Sequence, residues 1–222
     1  MNERVLIVID DVFEMSTLVA ALRLHEIDVI GEARSEGVAL NLFRRLQPDV
    51  IILDMQIAGI SSVSIAINMR KINPSVGIVI LNSCLDLRLL GETNNDIPVG
   101  AKILVKKSIS DLTVLCSAIS ESMTSAKDKE NVMWINGNNV VEERGVLTLM
   151  PHLTKTQVEV LRLVVSGMTN AQIGRTRYVS EKSVEQVISR VAQELNVQPD
   201  TNMNMRVQLV GEYYRWLGAP HH

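Results

Sequence analysis

The chain has 222 residues, of which 46% are hydrophobic and only 3% aromatic, with a formal net charge of −3. That is enough Leu, Ile, Val and Met for real cores, so it excludes global disorder, and the length predicts one or two domains. Residues 1–124 carry 11 Lys/Arg against 15 Asp/Glu and residues 151–222 carry 8 against 6, so only the tail is basic enough to permit nucleic-acid binding, without requiring it.

The first strand, about residues 4–9, runs through Val5-Leu6-Ile7-Val8-Ile9 into Asp10 and Asp11. The charged Glu3-Arg4 start is not a signal peptide, and no apolar run is long enough to span a bilayer. A helix follows, with Val12, Met15, Leu18, Val19 and Leu22 at helical spacing, then a short strand over 28–31. Ser35 is placed to cap a second helix carrying Val38, Ala39, Leu42 and Leu46, and Pro48 stops it. Val50-Ile51-Ile52-Leu53-Asp54 reads as a strand buried on both faces, with a carboxylate at its end. Gly59 allows a turn; Val63, Ala66, Ile67 and Arg70 mark a third helix, Asn73-Pro74 breaks it, and Val76 to Leu81 is a fourth strand. Leu85, Leu87, Leu89 and Leu90 predict a short fourth helix before Asn94-Asn95-Asp96-Ile97-Pro98. A fifth strand, Lys102 to Val105, ends at Lys106-Lys107, and Ser108 opens a fifth helix burying Leu112, Leu115, Ala118 and Ile119.

Five such βα units with right-handed crossovers predict an α/β, flavodoxin-like (βα)5 domain. Ligands bind at the carboxyl ends of such strands, and strands one, three and five would bring Asp10, Asp11, Asp54 and Lys107 together there. Three carboxylates in one crevice need a counter-charge, and a hard divalent cation such as magnesium suits them, with Asp54 as nucleophile or metal ligand. A dehalogenase-type phosphatase would need an acid two residues after the nucleophile; Gln56 stands there, so an enzyme is not expected. Cys84 and Cys116 form no C-x-x-C motif, which fits a reduced, cytoplasmic chain.

With Asp10-Asp11, Asp54, Lys107 and Gly100-Ala101 at these places, residues 1–123 resemble the receiver domain of two-component response regulators. The resemblance implies that Asp54 accepts a phosphoryl group from a histidine kinase or small phosphodonor. It implies that Asp10, Asp11, Asp54 and the backbone carbonyl of Gln56 hold magnesium, and that Lys107 pairs with the phosphoryl oxygens. The chain departs from the family at Asn82, where Ser or Thr is usual and where Ser83 adjoins, at Leu104, where an aromatic switch residue is common, and at Ile57-Ala58 in place of Met-Pro.

Residues 124–150 read as a linker: polar 125–130, apolar Val132-Met133-Trp134-Ile135, a turn at Asn136-Gly137-Asn138-Asn139, and Val146 to Met150. Residues 151–218 then show three helix starts in one style. Thr154 with Gln157 and Thr169 with Gln172 are capping boxes, and Ser180 with Ser183 is a weaker version. Tight turns between short helices predict an all-α helix-turn-helix. The third helix puts Val184, Val187, Ile188, Val191 and Leu195 on one face and polar residues on the other; a fourth, about 200–217, is expected to bury Val207, Val210, Tyr214 and Leu217.

Leu153-Thr154, Leu161, Gly167, Thr169-Asn170, Ile173, Ser180, Val184 and Leu195 resemble the LuxR/NarL-type DNA-binding domain, which implies that the third helix enters the major groove of promoter DNA. Lys182 and Arg190 are then phosphate or guanine contacts, Gln186 and Ser189 base readers, and Arg175 and Arg177 backbone grips. Glu185 stands where Lys is common, and could accept from cytosine. The whole chain reads as a cytoplasmic, dimeric transcriptional response regulator. The alternatives are a phosphorylation-independent regulator and a protein-binding adaptor without DNA.

Overall fold

A computed structural model describes residues 3–57, 61–84, 86–109, 111–137, 139–141, 153–197 and 204–217. Gly59, Leu85 and Val146 to Met150 lie outside them. The chain divides into two compact units: Met1–Ser83 with Asn94–Glu143, and Cys84–Thr93 with Arg144–His222.

The first unit is an α/β sandwich. Its strands are β1 (Arg4–Val8), β2 (Asp28–Ala33), β3 (Val50–Asp54), β4 (Gly77–Asn82), β5 (Lys102–Val105), β6 (Met133–Asn136) and β7 (Asn139–Val141), in the order β2-β1-β3-β4-β5-β6-β7. All neighbours are parallel except β6 and β7. The unit's helices are α1 (Val12–Leu24), α2 (Glu36–Leu46), α3 (Ser62–Ile72) and α5 (Leu112–Lys127). Every residue of β3 and β4 is buried, as expected of central strands covered on both faces. The apolar core runs from Val5, Ile7 and Ile52 through Val79 and Leu104 to Leu115 and Ile119.

Two expectations are corrected here. Residues 133–136 and 139–141, read as linker, extend the sheet: Lys102 pairs with Met133, Ile103 with Trp134 and Leu104 with Ile135. The indole of Trp134 is buried. And α5 is capped by Asp111, whose carboxylate accepts from the Thr113 amide at 2.9 Å, rather than by Ser108. Gly100, part of the receiver-like signature, has φ +74, and a Cβ there would lie 2.3 Å from the Ser125 carbonyl oxygen. Only glycine lets the chain turn into β5 against the end of α5.

The second unit is helical: α4 (Leu87–Leu90), α6 (Lys155–Val165), α7 (Asn170–Arg177), α8 (Glu181–Glu194) and α9 (Met205–Leu217). Both predicted capping boxes form: Gln157 reaches the Thr154 amide at 2.7 Å and Gln172 the Thr169 amide at 2.8 Å. Ser180 caps α8 by accepting from the Ser183 amide at 3.1 Å. Leu153, Val158, Leu161, Ile173, Val184, Ile188 and Val191 form the core, joined by Cys84 and Leu89. The segment 84–93 leaves β4 and returns to β5, yet it packs in this unit. Arg88 donates to the Leu153 carbonyl at 2.8 Å, and the Tyr213 hydroxyl donates to the Leu89 carbonyl at 2.6 Å. That anchor turns α9: Leu209 and Tyr213 are buried, whereas Val207 and Tyr214, expected inside, are exposed.

Candidate functional site

Asp54 ends β3 and is 95% withdrawn from solvent. Its Oδ1 accepts from the Gln56 amide at 3.1 Å, and its backbone carbonyl accepts from the Ser62 hydroxyl. Its Oδ2 lies 2.9 Å from an ammonium group, but that of Lys106 rather than Lys107. Lys107 is exposed. Strand register explains the difference. Asp54 pairs with Leu81, and Leu81 with Leu104. Leu104 thus shares the face of Asp54; Val105, still extended, brings Lys106 back to that face, and the 3-10 turn over Lys106–Ser108 then carries Lys107 into solvent.

Lys106 has a second partner that the sequence did not disclose, Glu14 in the first turn of α1, at 2.7 Å. Burial pulls the Lys106 amine down, but the charge of Asp54 and the bonds to Glu14 and Asp54 more than offset it, so its pKa lies above the usual lysine value. A signal for Glu14 was available: it stands three residues after the capping acid Asp11, at the mouth of the strand ends.

Asn82 ends β4, fully buried, and pairs in register with Val105; Ser83 is half-buried. Leu104 is fully buried in the core, so it cannot swing between inside and outside as an amphipathic switch residue does.

The donor chemistry of Asp10, Asp11 and Asp54, with the Gln56 carbonyl, suits a hard cation, and these are the residues that would hold one. Among the described residues, however, no three His, Cys, Asp or Glu side chains are gathered closely enough to hold a metal. One oxygen of the Asp11 carboxylate caps α1, accepting from the Glu14 amide at 2.7 Å. The Asp10 carbonyl accepts from Arg34 at 3.1 Å. The charge neutralising Asp54 is the chain's own ammonium.

In the helical unit, Val184, Ile188, Val191 and Ala192 of α8 face the core. Lys182, Glu185, Gln186, Ser189 and Arg190 are all exposed, as is Arg175 on α7. Arg177 departs from expectation: it is half-buried and ion-paired with Glu159 of α6. It serves to tie α7 to α6 rather than to present a free cation.

The model for the response regulator receiver domain matches residues 5–119, more than half of the chain, and the model for bacterial regulatory proteins of the luxR family matches residues 151–206. The chain belongs to the NarL/LuxR family of response regulators. The response regulator protein VraR of Staphylococcus saprophyticus is 27% identical over 79% of this chain and 81% of its own length; VraR of Staphylococcus aureus strain Mu3 is 24% identical over the same shares. The response regulator RcsB, solved in complex with DNA, aligns with 98% of this chain and all of its own at a TM-score of 0.56 and 20% identity, a likeness of fold. This response regulator thus couples a receiver domain to a LuxR-type DNA-binding domain. Among its described residues, no helix is long and apolar enough to cross a membrane.

Proposed function

We propose that this response regulator accepts a phosphoryl group on Asp54, from a histidine kinase or a small phosphodonor, and that this controls dimerisation and promoter binding through α8. It acts as a cytoplasmic signalling protein, not as an enzyme. The observation that carries the reading is the pairing of a buried strand-end carboxylate with a lysine ammonium at 2.9 Å. A carboxylate oxygen of Asp54 attacks phosphorus, the donor's P–O or P–N bond breaks, and its electron pair leaves with the donor. Lys106 then faces the charge placed on the acyl phosphate, with Asn82 and Ser83 at the neighbouring strand end. Lys182, Gln186, Ser189 and Arg190, with Glu185 as an acceptor from cytosine, line the helix face that would enter the major groove, and Arg175 precedes it on α7. Solved RcsB structures support this reading by analogy: one describes dimers on DNA, another a promoter complex with phosphomimetic BeF3−.

The test is phosphodonor treatment followed by intact mass, gel filtration and duplex binding. Wild type gains one phosphoryl group and changes oligomeric state and DNA affinity; Asp54→Asn does neither. No mass gain in wild type overturns the phosphorylation reading.

A second reading is favoured by buried Leu104 and by the Glu14–Lys106–Asp54 chain of charges: a regulator active without phosphate. It predicts identical DNA affinity with and without phosphodonor. The adaptor alternative, suggested by Glu185 on the exposed face, predicts no salt-sensitive duplex binding at all.

A further inference from the structure

The turn between α7 and α8 holds a residue that the fold itself does not favour. Tyr178 has φ +57 and ψ +41, in the left-handed region. The turn closes with the Val179 amide donating to the Gly174 carbonyl at 2.9 Å and the Tyr178 amide reaching toward the Arg175 carbonyl at 3.4 Å. This is the helix ending that glycine, and sometimes asparagine, adopts at little cost. The turn is tight: a Cβ on Gly174 would lie 2.8 Å from the Val179 carbonyl oxygen, so glycine is needed there. Among the described residues, five non-glycine residues have positive φ, and Tyr178 is the aromatic one.

The Tyr178 side chain is 95% exposed, so its ring adds no core packing. Backbone strain that the folded state does not offset points to a role outside the fold. The position indicates which. Tyr178 stands two residues before Ser180, the cap of α8, with exposed Arg175 and Lys182 on either side in sequence. With Gly174, Val179, the cation Arg175 and the acid Glu181 it lines a shallow concavity of about 670 Å³ at the start of that helix. A phenol there has an O–H donor at the end of a rigid arm, with exposed Arg175 in the same concavity, which suits a phosphate oxygen of a duplex.

We propose that Tyr178 is a DNA-backbone contact, its hydroxyl donating to a phosphate at the edge of the groove that α8 enters. The assignment rests on the DNA-binding reading of α8. It gives this chain a neutral phosphate clamp at a turn position where a small residue would be easier to fold.

The test uses the full chain and a mixed-sequence double-stranded oligonucleotide, titrated by fluorescence anisotropy over a range of salt. Tyr178→Phe, which removes only the hydroxyl, weakens binding roughly five- to tenfold. It leaves the dependence on salt unchanged, because a neutral phenol releases no counterion. Arg190→Ala, the comparison, lowers the salt slope by about one. Tyr178→Gly binds at least as weakly as Tyr178→Phe, yet unfolds at a higher midpoint, since glycine takes φ +57 freely. A variant that loses affinity while gaining stability cannot be explained by a damaged fold. The assignment falls if Tyr178→Phe binds like wild type, if its salt slope changes, or if Tyr178→Gly unfolds earlier than wild type. If wild type shows no salt-sensitive binding, the DNA reading of α8 falls and takes this one with it. If wild type binds and only the Tyr178 variants are indistinguishable from it, the DNA reading stands alone.

Discussion

Replacing Lys106 with Met separates two adjacent lysines that the sequence alone cannot tell apart. The substitution keeps the stem of the side chain and deletes the ammonium that lies 2.9 Å from Asp54 and 2.7 Å from Glu14. At an effective dielectric constant of about 20, a bare pair at 2.9 Å is worth about 6 kcal/mol. Desolvation of both groups offsets much of that. Exposed pairs contribute about 0–1 kcal/mol, whereas breaking a buried one costs about 3–5. Asp54 is buried but water reaches Lys106 and Glu14, so the loss should be about 2 kcal/mol. Lys107→Met, at an exposed side chain, should stay within about 0.5 kcal/mol. With an m-value of about 2 kcal/mol per molar urea, Lys106→Met lowers the midpoint by about 1 M and Lys107→Met leaves it in place. The assay is urea unfolding followed by the fluorescence of buried Trp134, in a Trp216→Phe background so that one reporter remains. In an Asp54→Asn chain the cost of Lys106→Met should shrink markedly. Equal midpoints for the two lysine variants, or a larger loss for Lys107→Met, would refute the register argument.

Three further outcomes follow from the same structure. Because an ammonium already neutralises Asp54, magnesium should raise the unfolding midpoint of Lys106→Met more than that of wild type, read by thermal melts with and without the ion. Gly100→Ala places a Cβ against the Ser125 carbonyl at positive φ, and should cost upward of about 2 kcal/mol in urea unfolding. Burial pushes the Cys84 thiol up to about 11, so the folded chain keeps a proton that the unfolded chain has lost. The stability Cys84 contributes is therefore complete below about 9 and drains away as the pH climbs from there to about 11, measurable as a falling midpoint that Cys84→Ala lacks. Lys106, held above the ordinary lysine value, adds a loss with the same sign above about 10.4.

The strands that carry the pocket were legible because burial on both faces leaves an uninterrupted apolar run, as in Val5–Ile9 and Val50–Leu53. The caps Thr154, Thr169 and Ser180 were legible because their chemistry is local. What escaped was decided by tertiary partners. Met133–Asn136 is too short and too mixed to announce a strand, and becomes one only by pairing with β5. Choosing Lys106 over Lys107 required the offset between three strands, which no single segment contains. Arg177 reads as an exposed cation until Glu159, eighteen residues earlier, is brought beside it. The buried carboxylate of Asp54, by contrast, followed directly from a charge at the end of a buried run.

The placement of 84–93 has a practical reach. The chain passes from one unit to the other after residues 83, 93 and 143, so no single cut separates them cleanly. A truncation ending at 143 would retain a loop whose Cys84 and Leu89 had lost their neighbours. The complementary tail would keep Tyr213 without the Leu89 carbonyl that accepts its hydrogen bond. Dissection into halves would thus cost the helical unit part of its interior, while the first unit would keep its own core and carry a loop without neighbours.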